Sequence, residues 1–461
     1  MKSTIKIKSP LNSKEIGEVV AMSQEDVNDK IQKSKEALKT WKNTTIYERG
    51  QYLYKVASLL EENADELANL LMLEVGKDLK SAKSEVIRTS DLIKQTIETA
   101  KNISSQSIPA DIVSGVKKGK MAITTRVPMG VVLAVSPFNY PVNLAVSKLA
   151  PALMGGNTVI FKPATQGSLC GTYICSLFKK ANLPEGVLEL VTGKGSVIGD
   201  YIATHEGINF INFTGSTITG RHIAKEANMI PLLMELGGKD AAIVLEDADL
   251  ELAAKQIVSG AFSYSGQRCT AIKRVLAVES IVEELTEKIQ KNIDTLKVGN
   301  PLDKQNYDVV PLIDTASADF VWGLITDAKE KGANVLTGGT REENLIAPTL
   351  LNNVTLDMDV AWKEPFGPVL PIIKVKDKEE AIKIANMSEF GLQSSVFTKN
   401  FNDAFEVANS LEVGTVQINN RTERGPDHLP FLGVKNSGVG VQGISYSIES
   451  MTNIKSTVIN L

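Results

Sequence analysis

Cysteine and histidine are both scarce, at three residues each in a chain of 461. Three thiols cannot build a disulfide framework. Two of them, Cys170 and Cys175, fall in a stretch with helical spacing and read as small residues of a reduced core. His205, His222 and His428 are scattered without ligand spacing and have no cysteine cluster to complement them, so no metal site is expected. Long apolar runs are also missing: none approaches the roughly 20 residues that span a bilayer. The opening "MKSTIKIKSPLNSK" lacks the apolar core of a secretion signal, which makes the cytoplasm the expected compartment. Neither charge dominates: 50 Lys and Arg face 54 Asp and Glu, for a net charge of −4. Without a basic stripe, nucleic acid is not an expected partner. There is no internal repeat or low-complexity segment. What remains is the make-up of a globular protein too long for one ordinary core.

The rhythm of apolar residues divides the chain. The first hundred residues read as helical, with apolar positions three and four apart in "EDVNDKIQKSKEALKTW" and "IYERGQYLYKVASLLEENADELANLLMLEVG". From 130 onward, short β-branched runs appear at 130–135, 157–162, 187–193, 208–215 and 241–245, with helix-length spacers at 140–154, 166–182, 194–206 and 216–227. Such alternation predicts βαβ units and a parallel sheet covered on both faces. A second alternation starts at 273–278 and runs through 280–296, 317–332, 368–375, 394–399 and 414–420. "GKMAITTRV" (119–127) and "NIKSTVINL" (453–461) fit neither series. They are expected to pair with each other or with a second copy of the chain.

Several loops between these elements carry chemistry. "GKGSVIG" (193–199) misses the dinucleotide fingerprint by one residue and has no acid at the required distance. "FTGSTITG" (213–220) leaves a strand and opens a helix. Gly215 allows close backbone approach, and Ser216 and Thr217 offer a cap beside free N–H groups, which suits a phosphate or an ordinary helix start. In "FKPATQ" (161–166), Lys162 ends a strand on the usual ligand side, and Thr165 stands where a ribose-binding acid could. A lysine with a hydroxyl accepts a 2′-phosphate that a carboxylate would repel, so NADP is favoured, with NAD a weaker possibility.

Cys269 follows Arg268 in "FSYSGQRCTA" (262–271), either as an inert buried thiol or as a nucleophile. Asn139 in "SPFNYP" (136–141) could donate to an oxyanion or satisfy its own turn. Glu235 in "MELGGKD" (234–240), set among leucines, should be poorly solvated and tuned as a base, unless it is a surface residue at a strand end.

Taken together, "SPFNYP", "FKPA", "FTGST", "MELGGKD", "SGQRCTA" and "EPFGPVLP" (364–371) resemble the aldehyde dehydrogenase superfamily in order and spacing, over essentially the whole chain. "SYSGQRCTAIKR" and "INNRTERGPDHLPFLGVKNSGVGVQGI" resemble more closely its NADP-dependent, non-phosphorylating glyceraldehyde-3-phosphate dehydrogenases. The resemblance implies an α/β fold with two Rossmann-like parallel-sheet domains and a small β oligomerisation element. Residues 1–117 and 131–236 would bind the cofactor, 237–440 would form the catalytic domain, and 118–130 with 441–461 would assemble dimers or, as a dimer of dimers, a homotetramer.

It implies further that Cys269 attacks an aldehyde, Asn139 stabilises the oxyanion and Glu235 activates the water that hydrolyses a thioester. Lys162, Thr165, Gly215, Ser216, Glu364 and Phe366 would hold NADP. Arg88, Tyr140, Arg268 and Arg424 would hold the substrate phosphate, Arg424 being preferred to Arg421. The rival substrate is another small aldehyde such as succinate semialdehyde or lactaldehyde. A CoA-acylating enzyme is disfavoured by Glu235, and a non-enzymatic relative by the presence of Cys269, Glu235 and Asn139 together.

Overall fold

The computed structural model describes residues 3–103, 105–116 and 118–460. Its first large sheet is centred on Val131–Ser136, which pairs in parallel with Thr158–Pro163 on one side and Phe210–Thr214 on the other. Leu188–Leu190 extends one flank; Leu232–Glu235 and the antiparallel Gly438–Val439 extend the other. Val131, Val132, Val159, Ile160 and Phe161 are all fully buried. A parallel sheet covered on both faces requires such unbroken apolar runs.

The second sheet has seven strands. Ala241–Val244 lies between Arg274–Val278 and Gln393–Phe397, and the parallel series continues outward to Val369–Val375, Thr349–Asn352 and Thr415–Ile418, with Asn334–Thr337 as an antiparallel edge.

The two strands that fitted neither series pair with each other. Thr452–Asn460 runs antiparallel to Lys120–Pro128 in an unbroken register from Thr452 opposite Pro128 to Asn460 opposite Lys120. A third strand, Gln106–Pro109, which the sequence pattern did not reveal, joins the far side. The expected boundary at residue 117, and the ends of the chain at Met1 and Leu461, lie outside the described residues.

The first hundred residues are not helical throughout. Thr4–Lys8 and Glu15–Val20 form an antiparallel hairpin, a consequence of the period-two alternation in "TIKIK". Four helices follow: Gln24–Trp41, Ile46–Glu62, Ala64–Val75 and Leu79–Asn102. Reciprocal capping boxes at Ser23 with Asp26 and Thr45 with Glu48 start the first two. The third ends on Gly76 at φ +73°, and the turn that follows carries Lys77 inward, where it is fully buried. Among the described residues no helix is long and apolar enough to cross a membrane.

Candidate active site

Opposite ends of the strands in the two large sheets meet. In the first, Lys162 closes Thr158–Pro163, Asn139 lies just past Ser136, Gly215 and Ser216 follow Thr214, and Glu235 ends its own strand. All are at carboxyl ends, where open α/β sheets bind ligands. In the second, Cys269 precedes Arg274–Val278, and Glu364 and Phe366 precede Val369–Val375, at amino ends. Direct bonds join the edges. Asn139 Nδ2 donates to the Gln267 carbonyl at 2.8 Å, and Glu364 Oε1 accepts from the Gly238 N–H at 3.0 Å.

The loop presenting Cys269 has unusual backbone geometry: Tyr264, Ser265 and Gly266 have φ of +53°, +56° and +70°. A Cβ on Gly266 would lie 2.6 Å from the Gly367 carbonyl oxygen, so only glycine fits there. Two non-glycine residues in this region cost on the order of 1–3 kcal/mol each. Long-range bonds offset that cost. Tyr264 Oη donates to the Val75 carbonyl at 2.7 Å, Ser265 Oγ donates to the Val310 carbonyl at 2.7 Å, and Gln267 Oε1 accepts from the Ile313 N–H at 3.0 Å.

Cys269 opens on a cavity of about 730 Å3, whose wall also includes Asn139, Tyr140, Arg88, Arg268 and Arg424. The catalytic and substrate candidates thus converge, except Glu235, which stands outside that wall, as do the cofactor candidates Lys162, Thr165, Gly215, Ser216, Glu364 and Phe366. Burial pushes the Cys269 thiol up to about 12. Glu235 adds to this, while Lys273 and Arg424 oppose it. The principal cations favouring thiolate are therefore these two.

Glu235 is buried, but not in the purely apolar shell its leucine neighbours suggested. Its Oε1 accepts from Arg424 Nη1 at 2.7 Å, its Oε2 accepts from Thr214 Oγ1 at 2.7 Å, and Lys148 Nζ lies 3.8 Å away. The side-chain environment is set by residues 189 and 87 positions distant, which local sequence does not report.

The expected phosphate clamp is already partnered. Arg424 is held by Glu235 and by Gln442 Oε1 at 2.6 Å. Arg88 grips Asp427 with two bonds of 3.0 and 2.9 Å. Arg421 bonds Glu423 at 3.0 Å and lines the same cavity as Arg424. Arg268 donates one Nη to the Gly260 carbonyl at 2.5 Å, but its buried Nε–H has no partner among the described residues. An unpaired buried guanidinium donor is costly.

On the cofactor side, Lys162 is buried and, among the described residues, its ammonium reaches only the Pro163 carbonyl, at 3.5 Å. Burial holds it below the usual lysine range. No carboxylate stands at Thr165. Ser216 caps the helix Thr217–Glu226, accepting from the Thr219 N–H at 3.3 Å. Phe366, at φ +49°, meets the Phe138 ring edge-on at 5.9 Å.

The model of the aldehyde dehydrogenase family matches residues 1–457. The chain belongs to the aldehyde dehydrogenase family. One curated relative, the NADP-dependent glyceraldehyde-3-phosphate dehydrogenase of Streptococcus equinus, is 54% identical over 460 residues, covering 100% of this chain and 96% of its own. The protein of the same name from Pisum sativum is 48% identical, covering 99% and 92%. Among solved structures, the NADP-dependent glyceraldehyde-3-phosphate dehydrogenase of Bacillus halodurans C-125, complexed with NADP, superposes with a TM-score of 0.98 at 54% identity, covering 100% and 96%.

Among the residues of this aldehyde dehydrogenase that the sequence reading did not single out, two lysines stand beside the catalytic candidates. Lys148 is fully buried, donates to Thr214 Oγ1 at 2.7 Å, and is driven by burial down to about 8 against the pull of Glu235. Its signal was legible: a single lysine in the wholly buried helix Asn143–Met154. Lys273 donates to the Cys269 carbonyl and pairs with Glu364 at 3.3 Å, linking the nucleophile loop to a cofactor candidate.

A dinucleotide phosphate fits the residues at the first edge. The buried ammonium of Lys162 has no carboxylate partner among the described residues. A Cβ on Gly215 would lie 2.6 Å from the Phe213 ring, so the backbone there stays bare for close approach.

Proposed function

We propose that this enzyme oxidises D-glyceraldehyde 3-phosphate to 3-phosphoglycerate with NADP and water, incorporating no inorganic phosphate. The convergence of Cys269, Asn139 and cationic side chains on one cavity carries this reading. The names of its relatives agree with it.

Cys269, once deprotonated, forms an S–C bond to the aldehyde carbon. Asn139 has two Nδ2–H donors. One is committed to Gln267, which leaves the other, with the Cys269 N–H, for the developing oxyanion. NADP, held by Lys162, Thr165, Gly215, Ser216, Glu364 and Phe366, supplies the hydride acceptor. The acyl group then remains on Cys269 as a thioester. Glu235 takes a proton from water as the water oxygen attacks that carbon. The C–S bond breaks, the thiolate leaves, and the acid is released. Loss of the thioester to water makes the reaction effectively irreversible.

Arg268 lines the cavity and offers its positive charge to the substrate phosphate, Tyr140 and Arg88 flank it, and Arg424 contacts both the cavity and Glu235. A phosphate there competes with Glu235 for the Arg424 guanidinium, so the substrate's own charge helps to release the base. NADP is preferred over NAD because a 2′-phosphate gives Lys162 its missing partner.

Residues 1–117 with 131–236 form the cofactor domain in this reading, and 237–440 the catalytic domain. Segments 118–130 and 441–461 assemble subunits into a homotetramer, supported by the exposure of Ile454 and Val458 on the three-stranded sheet. The enzyme works in the cytoplasm.

The test is initial-rate kinetics with glyceraldehyde 3-phosphate, succinate semialdehyde and lactaldehyde, each with NADP and with NAD, in phosphate-free buffer. Glyceraldehyde 3-phosphate with NADP should give the highest kcat/KM by at least about tenfold, the effect of one charge-assisted contact. Equal values across aldehydes would remove the phosphate from the account.

A further inference from the structure

The loop that carries Asn139 and Tyr140 joins the strand Val131–Ser136 to the helix Asn143–Met154. Apart from the Tyr140 and Val142 carbonyls, which accept from the following helix, its peptide groups lie outside the regular ladders and need other partners. A single buried ion pair supplies three. Lys77 and Glu85 both have side chains 1% exposed and stand 2.5 Å apart. Lys77 Nζ donates to the Asn139 carbonyl at 2.9 Å and lies 3.7 Å from the centre of the Tyr140 ring. Glu85 Oε1 accepts from the Val142 and Asn143 N–H groups, each at 3.0 Å. The loop is therefore gripped on both sides of Tyr140.

The same turn reaches the nucleophile loop. Val75, two residues before Lys77, accepts the bond from Tyr264 Oη, and Lys77 also lies 4.7 Å from the Tyr264 ring centre. Asn139 is consequently fixed at two points, by Lys77 on its backbone and by Gln267 on its amide. Stability alone is a weak reason for such a pair. Desolvating two charges costs several kcal/mol per ion, and apolar residues of similar size often do as well. Orientation of the loop is the better account.

We propose that Lys77 and Glu85 are positioning residues for Asn139, aiming its free amide N–H at the reacting oxygen by clamping the loop on either side. The inference rests on the reading of Asn139 as oxyanion donor. The experiment is a double-mutant cycle of Lys77→Met with Asn139→Ala, in the full-length enzyme with glyceraldehyde 3-phosphate and NADP. Removing one oxyanion donor costs about 10²–10³-fold in kcat, and a misaimed one should cost less.

Lys77→Met should lower kcat about 10–100-fold while KM and NADP affinity change by less than about threefold, and in the Asn139→Ala background its effect should shrink below about threefold. If Lys77→Met does not fold because Glu85 is left charged and alone, Lys77→Met with Glu85→Gln takes its place in the cycle. Asn139→Ala at the full rate would sink the oxyanion reading itself. Asn139→Ala impaired, with the Lys77 change either silent or equally costly in both backgrounds, would sink the clamp alone.

Discussion

The two edges that meet at the cavity are built by different means. Lys162, Gly215 and Glu235 stand where regular parallel pairing leaves them, at the carboxyl ends of strands in one parallel sheet. Cys269 sits beyond three consecutive left-handed residues, in a loop held by Val75, Val310, Ile313 and Asn139, all distant in sequence. Outside the Asn139 loop, which Lys77 and Glu85 hold, one edge takes its geometry from the sheet and the other from side-chain bonds. A substitution on the first edge should therefore alter one property at a time. On the second, chemistry and architecture can be separated only where a residue takes no part in holding the loop.

Cys269 is such a residue, and the largest effect belongs to it. Cys269→Ser should lower turnover by at least about 10³-fold, since a hydroxyl in place of the thiol removes the nucleophile. The melting temperature should stay within about 2 °C of the parent, since the loop's bonds are made by its neighbours. Gly266→Ala, three residues earlier, should do the opposite and melt lower, because a Cβ there meets the Gly367 carbonyl oxygen at 2.6 Å. Steady-state NADPH formation and a thermal melt read both. If Cys269→Ser lowered the melting temperature as much as Gly266→Ala, the separation would be lost.

At the sheet edge the effect should be smaller and cleaner. Lys162→Ala should cut kcat/KM for NADP about 10–100-fold, the loss of one or two charge-assisted contacts to phosphate, while NAD changes by less than about threefold. Thr165→Glu should act in the same direction through repulsion. Equal losses with NADP and NAD would mean that Lys162 holds something common to both cofactors, and the assignment of the 2′-phosphate would fall.

How much could be read in advance follows the same divide. The parallel strands were legible because burial on both faces writes itself as continuous apolar residues: 157–162 was expected and Thr158–Pro163 is found, and 368–375 became Val369–Val375. The residues at their ends came with them. The hairpin Thr4–Lys8 with Glu15–Val20 went unread because its alternation is short and lies beside strong helical periodicity. The shell of Glu235 was misjudged for a different reason. Met234 and Leu236 predict an apolar surrounding, yet Arg424 and Lys148 arrive through tertiary contact alone. The engagement of Arg88 by Asp427 is equally invisible, since nothing near "SEVIRTSDL" refers to residue 427.

The three cysteines sharpen the comparison at its weakest effect. Burial raises all of them: Cys170 well above the ordinary thiol range, Cys175 to about 12 and Cys269 to about 12. Proton affinity therefore does not single out the nucleophile; access does, because Cys269 alone of the three lines the large cavity. Cys175→Ala should change kcat by less than about twofold, since it removes a thiol that touches neither edge. For the cofactor-free enzyme, the sign of the shift sets the pH dependence. A thiol raised to about 12 is protonated at neutral pH, so its thiolate fraction grows with every unit of alkalinity. Inactivation by iodoacetamide should accelerate about tenfold per pH unit from roughly pH 7 to 10, with Cys269 as the labelled residue by peptide mass. A plateau below about pH 9 would mean that Lys273 and Arg424 outweigh burial, and that the loop activates its thiol before any ligand arrives.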